Sequence, residues 1–292
     1  MANNETANIK MDNNDSAAYF NGQYLPLSQV SISPLDRGFL FGDGIYEFVP
    51  VFNGKALGGE QHWQRLLEGL KSVDIPLTYS VQDLKDIAQP LLSDGEPTQI
   101  LYVQITRGVE AVRKHRFPVD AKPTVLMFST PFTSPFDITY PGCDAYFQED
   151  LRWQRCSIKS ISLMGNVMSY LQLAKDGVAN SEALLIRGEH VVEAPSSNLF
   201  MAKGGVVFTP PVDNILAGVT RQLIIDIAEN QGIEVRQVFP TVSEVKQADE
   251  VWVSNSYEEL KPIISIDGDK VGDGKPGPIW QRLFSSYQLL KH

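Results

Sequence analysis

The chain carries only two cysteines, Cys143 and Cys156, in 292 residues, so no disulfide framework can hold it. No Cys/His cluster has the spacing of a zinc site, and no metal is expected. No apolar run approaches the roughly 18 residues that a membrane helix needs. Basic residues are in deficit: 25 Lys and Arg face 35 Asp and Glu, and the net charge of −10 argues against a sequence-independent hold on nucleic acid. The first residues, Met1-Ala-Asn-Asn-Glu-Thr, lack the basic head and apolar core of a secretory signal. The expectation is a cytoplasmic protein that meets small molecules, not nucleic acids or membranes.

What is present is a globular composition, 43% hydrophobic and 21% charged. The length suits two domains, each able to bury a core. Residues 1–17, rich in Asn and Asp, read as a tail that cannot offset its ordering entropy. Residues 18–130 read as a smaller α+β domain, 131–136 as a linker and 137–292 as a larger second domain. The linker, Pro131-Phe-Thr-Ser-Pro-Phe136, disfavours both helix and ladder.

Asn21-Gly22 and Asn53-Gly54 each supply the positive φ angles of a tight hairpin between strand-like runs. Residues 60–73 place Trp63, Leu66, Leu67 and Leu70 at helical spacing, and Ser80 with Asp83 forms a capping-box signature. Residues 100–106 and 124–130 are β-rich. The second half reads as strands at 144–150, 183–187, 199–201, 206–208, 251–253 and 263–266, with helices at 164–175, 219–230 and 278–290. No repeat of fixed period appears.

Several residues invite chemistry. Lys159 lies in the strand-like Ser157-Ile-Lys-Ser-Ile-Ser162; on composition it is a surface lysine, whereas burial would favour a neutral, nucleophilic amine. Glu193, opening Glu193-Ala-Pro-Ser-Ser-Asn198, is either a solvated acid or a partner for a protonated ring nitrogen. Ser196, Ser197 and Asn198 suit a polar turn or a set of donors. Leu216-Ala-Gly-Val-Thr-Arg221 opens a helix, where free N–H groups suit a phosphate and Thr220 alternatively suits a plain cap. Arg65 is either a phosphate ligand or an ordinary helix arginine. Trp63, Phe48 and Tyr46 are candidates to face a partner subunit.

Taken in order, Arg37-Gly-Phe-Leu-Phe-Gly-Asp-Gly-Ile-Tyr-Glu47, residues 60–66, Ile158-Lys-Ser160 with Leu163-Met-Gly-Asn166, the Glu193 run and residues 216–221 resemble the pyridoxal phosphate fold type IV (class IV) aminotransferases. The resemblance runs from Tyr19 to Tyr287. It implies a mixed α+β and α/β fold of two domains with the cofactor, pyridoxal 5'-phosphate, in the cleft between them, and a homodimer. It implies that Lys159 is the catalytic lysine that holds the cofactor covalently and Glu193 the ring-nitrogen partner. Arg65, Val219, Thr220 and Ser256 match the phosphate ligands, Ser196 the polar shell, and Leu216 the side chain against the ring. Within the family, Thr106-Arg-Gly-Val-Glu-Ala-Val-Arg-Lys-His-Arg-Phe-Pro118 resembles the branch acting on D-amino acids, with Arg113, His115 and Tyr46 implied as the holders of the substrate carboxylate. The implied reaction is transamination between a D-amino acid such as D-alanine and a 2-oxo acid such as 2-oxoglutarate. The alternatives on the same fold are a branched-chain L-amino acid or (R)-amine aminotransferase and an aminodeoxychorismate lyase. Two departures stand out: Ala194-Pro195 beside the acid, and Ser254-Asn-Ser-Tyr257 in place of a Ser/Thr run.

Overall fold

The computed structural model describes residues 15–292 except 94, 119 and 121. It divides into two compact units, Met1–Phe132 and Thr133–His292. The expected tail lies mostly outside the described residues. No helix among them is long and apolar enough to cross a membrane.

In the first unit, strands β1 (Ala17–Phe20), β2 (Gln23–Pro26), β3 (Gly44–Phe52), β4 (Lys55–Ala56), β5 (Thr98–Thr106) and β6 (Thr124–Pro131) form one antiparallel sheet in the order β2-β1-β6-β5-β3-β4. Both Asn-Gly turns form as the sequence implies, with Asn21, Gly22, Asn53 and Gly54 all at positive φ. Helix α2 (Gly59–Ser72) buries His62, Trp63, Leu66 and Leu70. Trp63 is therefore a core residue of its own unit and does not face a partner, which corrects the sequence reading. Helix α3 (Val81–Ala88) starts on the Ser80/Asp83 capping box. A short helix, α1 (Arg37–Phe41), was not legible in the sequence. Its five residues include a glycine and show no helical periodicity; the Asp36 side chain caps it by accepting from the Gly38 N–H.

The second unit holds strands β7 (Cys143–Glu149), β8 (Glu182–Arg187), β9 (His190–Glu193), β10 (Asn198–Lys203), β11 (Val206–Thr209), β12 (Val235–Gln237), β13 (Glu250–Asn255), β14 (Glu259–Ile266) and β15 (Asp269–Lys270). Around them lie α4 (Met164–Lys175), α5 (Val219–Asn230), α6 (Val242–Lys246) and α7 (Pro278–Leu289). The sheet order is β12-β11-β10-β13-β14-β7-β8-β9, with β7 parallel to both β8 and β14. The path returns on itself, because β9 also pairs with β10 through Glu193 and Asn198. The acid singled out in the sequence thus stands at the seam that closes the ring of strands. Leu199, Met201, Val251, Val253 and Ile263 pack one core cluster, while Leu173, Ala183, Leu185, Val192 and Ile215 pack a second. Phe200 and Trp252 stack with centroids 5.5 Å apart.

Residues around Lys159 form turns, not the strand that alternation suggested. Ile158 N–H donates to Arg155 O and Ser160 N–H to Ile158 O, so the segment turns locally and meets a neighbouring strand only at the single bridge residue Ser160.

Helix α7 begins without a side chain of its own at the cap. Instead the buried Glu250 accepts from Ile279 N–H at 2.9 Å and Trp280 N–H at 2.7 Å, placing an anion at the positive helix end. Replacing Glu250 with alanine strands two buried donors. It is expected to lower stability by about 1–3 kcal/mol, read as a lower urea midpoint with an unchanged slope.

Candidate active site

Glu193 is fully shielded from water, and its surroundings decide what it can do. One oxygen, Oε2, receives the Leu216 N–H and the Asn198 amide, each at 3.3 Å. The other, Oε1, has Arg152 Nη2 at 2.9 Å and no further donor among the described residues. Burial pushes the carboxyl up to about 7, with the Arg152 charge pulling the other way. An acid poised between its two forms, with one oxygen open to a donor, fits a protonated pyridine nitrogen. That nitrogen would supply a further hydrogen bond and the charge that holds the acid ionised.

Arg152 is itself built in. Asp150 takes two of its N–H groups at 2.9 Å, and Arg187 also binds Asp150 at 2.8 Å. Arg187 Nη2 then lies 3.2 Å from Cys156 Sγ, three residues before Lys159, and Asn214 ties this segment to the stretch before Leu216. A charged chain therefore links the Lys159 segment to Glu193. Lys159 is half-buried, neither the fully solvated lysine of composition nor a core residue.

The Leu163-Met-Gly-Asn166 motif now has a physical reason. A Cβ on Gly165 would stand 3.0 Å from Arg152 Cγ, so a side chain there would crowd that stem. Asn166 donates its amide to Pro195 O in a short hydrogen bond. At the Ala194-Pro195 departure, the Ala194 N–H closes the turn onto Ser197 O at 2.8 Å, and Pro195 contributes its carbonyl to Asn166 but no N–H. Tyr170 and Ser196 hydroxyls meet at 2.6 Å, and Asn255 donates to Ser197 Oγ at 2.8 Å, which brings the Ser196 turn beside the Ser256 turn.

Leu216, Val219 and Thr220 sit around the start of α5. Its cap residue is Gly218, with no side-chain cap, so Thr220 is not the cap that was one reading of the sequence. Asn198 donates to Leu216 O at 2.8 Å, and a Cβ on Gly218 would come within 2.0 Å of Asn198 Oδ1. That close approach explains the glycine and leaves a helix N-terminus suited to an anion.

Arg65, Tyr46, Arg113 and His115 belong to the first unit. Arg65 forks onto Glu47, Nε to Oε1 at 2.7 Å and Nη2 to Oε2 at 2.8 Å, while His62 Nδ1 meets Oε2 at 2.7 Å. Burial alone would raise the Glu47 carboxyl, but Arg65 and His62 pull it down to about 2. Part of the Arg65 donor fork thus serves the protein itself. Tyr46 lies 6.0 Å from the Tyr102 ring. Arg113 and His115 share an exposed loop and converge on the ring of Phe41, at 4.9 Å and 5.3 Å from its centre. Arg152, Asn166, Tyr170 and Asn255 were not identified from sequence. Only the glycines at 165 and 218 hinted at crowding.

The raised Glu193 carboxyl has a thermodynamic consequence. Between about 4.5 and 7 the folded protein binds a proton that the unfolded chain releases, so this group makes stability fall as pH rises through that window. In the cofactor-free protein, Glu193→Gln is expected to abolish that fall, worth up to roughly 3 kcal/mol. Urea unfolding at stepped pH tests this; parallel curves for the two proteins would contradict it.

Residues 44–266 match the model of the amino-transferase class IV family. The chain is 38% identical over 273 residues to a D-alanine aminotransferase of Staphylococcus aureus (strain MSSA476), covering 92% of this chain and 96% of the relative. It is 38% identical over 254 residues to a D-alanine aminotransferase of Listeria monocytogenes, covering 85% and 86%. In fold it is similar to the branched-chain amino acid aminotransferase of Escherichia coli, with TM-score 0.86, 23% identity and 94% of each chain covered. It is also similar to a T.th. branched-chain amino acid aminotransferase with pyridoxamine 5'-phosphate, with TM-score 0.87, 20% identity and 94% and 93% covered. The family-model match and the similarity to these relatives over most of the length agree: this chain belongs to the class IV aminotransferases.

Proposed function

We propose that this aminotransferase moves an amino group between a D-amino acid, such as D-alanine, and a 2-oxo acid, such as 2-oxoglutarate, with pyridoxal 5'-phosphate as cofactor. The observation that carries the substrate class is the near full-length similarity to D-alanine aminotransferases. The Arg113/His115 pair gathered on one ring supports it. The likeness to branched-chain enzymes is one of fold alone, at 20–23% identity, and does not favour L-substrates.

Pyridoxal phosphate, when bound, supplies an aldehyde that takes up the amino group and a ring that accepts the electron pair left as the α-proton departs. Lys159 would hold the cofactor through its ε-amine, and the same amine would carry the α-proton. Glu193 in its ionised form would accept the ring-nitrogen hydrogen bond, through the oxygen that only Arg152 approaches among the described residues. Arg152 and Asn198 fix that carboxyl's direction. The N–H groups at the start of α5, with Thr220, Ser256 and Arg65, take the phosphate. Ser196 completes the polar shell, and Leu216, whose N–H also binds Glu193, packs on the ring. Arg113, His115 and Tyr46 hold the substrate carboxylate, which orients the α-hydrogen of one enantiomer toward Lys159. A cytoplasmic homodimer accompanies this reading.

The test is a substrate panel of D-alanine, L-leucine and (R)-1-phenylethylamine with 2-oxoglutarate as acceptor. D-Alanine is expected to bleach the visible absorbance of the holoprotein and to turn over, with the other two far slower. Lys159→Ala is expected to lose about 10²–10⁴-fold in rate. L-Leucine as the preferred donor, or native turnover in the lysine variant, would overturn the reading.

A further inference from the structure

The motif running from Arg37 to Asp43 does more than lead into Tyr46. Arg37 is buried and reaches from α1 into the loop that carries Arg113 and His115. Its Nη1 donates to Lys114 O at 2.6 Å, Arg116 O at 3.4 Å and Glu110 Oε2 at 3.3 Å, and Nη2 donates to His115 O at 3.3 Å. Asp43 holds Arg37 from behind at 2.8 Å and binds Arg107 through both oxygens, at 2.8 and 3.0 Å. Arg107 in turn lies 4.2 Å from the ring centre of Phe117, at the far end of the same loop. One carboxylate thus anchors two arginines that grip an otherwise exposed loop at two points.

Above this clamp the side chains converge on Phe41. The Arg37 guanidinium lies 4.8 Å from the ring centre and that of Arg113 lies 4.9 Å away, with the His115 ring at 5.3 Å and a tilt of 53°. Two like charges this close to one ring repel each other, and the electron-rich face of the ring is what draws them there. Arg113 is a rotamer-rich side chain on an exposed loop, so ordering it only when substrate arrives would weaken binding. Parked on the ring, it is ordered beforehand.

We propose that Phe41 is a positioning residue for substrate: its ring fixes the direction from which the Arg113/His115 pair meets the carboxylate of the amino acid and the oxo acid. The proposal rests on the carboxylate-binding reading of that pair. It does not involve the cofactor, and it separates the role of Phe41 from the fold-holding role of Asp43.

Steady-state kinetics of the holoenzyme with D-alanine and 2-oxoglutarate test it, using Phe41→Leu, Phe41→Tyr, Arg113→Ala and the Phe41→Leu/Arg113→Ala pair. Phe41→Leu is expected to raise KM for both substrates about five- to tenfold with kcat within about twofold, and to leave the cofactor dissociation constant unchanged. Phe41→Tyr restores the wild-type KM, and Phe41→Leu adds less than about twofold on top of Arg113→Ala. Should leucine leave a disruptive gap, Phe41→Met keeps the volume without the π face and is expected to show the same KM effect. An unchanged KM in Phe41→Leu or Phe41→Met beside a raised KM in Arg113→Ala overturns the proposal and leaves the carboxylate reading intact. Full additivity of the pair, or an equal loss of cofactor affinity, also overturns it. An Arg113→Ala enzyme with wild-type KM removes the carboxylate reading and the proposal with it.

Discussion

Burying a carboxyl group without a full set of donors is expensive, and much of the second unit is arranged around one that is buried in this way. Glu193 stands where β9 returns to β10, so the same residue closes the ring of strands and presents its acid. Leu216 N–H and the Asn198 amide bind one oxygen; the other is held by Arg152 alone among the described residues. The surrounding sequence follows from that geometry. Gly218 is needed because Asn198 must approach the chain there, Gly165 because Arg152 must, and Asn166 because Pro195 needs its carbonyl held. A charged chain from Cys156 through Arg187, Asp150 and Arg152 connects the Lys159 segment to the same acid.

The first unit repeats the logic with the signs exchanged. There the acids are internal and each holds basic side chains. Asp43 holds Arg37 and Arg107, and Glu47 holds Arg65 and His62, so each acid fixes a pair of basic side chains. Burial of these acids is tolerated because each is matched by a guanidinium, which keeps Glu47 far below the usual carboxylate range. Glu193 differs: burial outweighs the Arg152 charge, and its carboxyl is raised where that of Glu47 is lowered.

Elements governed by local chemistry were legible in the sequence. Asn21-Gly22 and Asn53-Gly54 set their hairpins, Ser80/Asp83 set its helix, and the spacing of Trp63, Leu66 and Leu70 set the buried face of α2. The ordered motifs carried the family as well. What escaped depended on contacts between distant residues. Helix α1 is too short for periodicity, and the Lys159 segment reads like a strand yet turns back on its own backbone. Arg152, Tyr170 and Asn255 look like ordinary surface residues until Glu193, Ser196 and Ser197 are brought beside them. The same holds for Phe41, which carries no charge and gains its meaning from Arg37 and Arg113.

The measurement that bears most directly on Glu193 is a carbon-13 NMR titration of its carboxyl, assigned by difference from Glu193→Gln, with and without pyridoxal phosphate. The expected result is a carboxyl that titrates near 7 in the cofactor-free protein and stays ionised through that range once the cofactor is bound. A titration that is the same in both states would contradict the assignment of Glu193 as the ring-nitrogen partner.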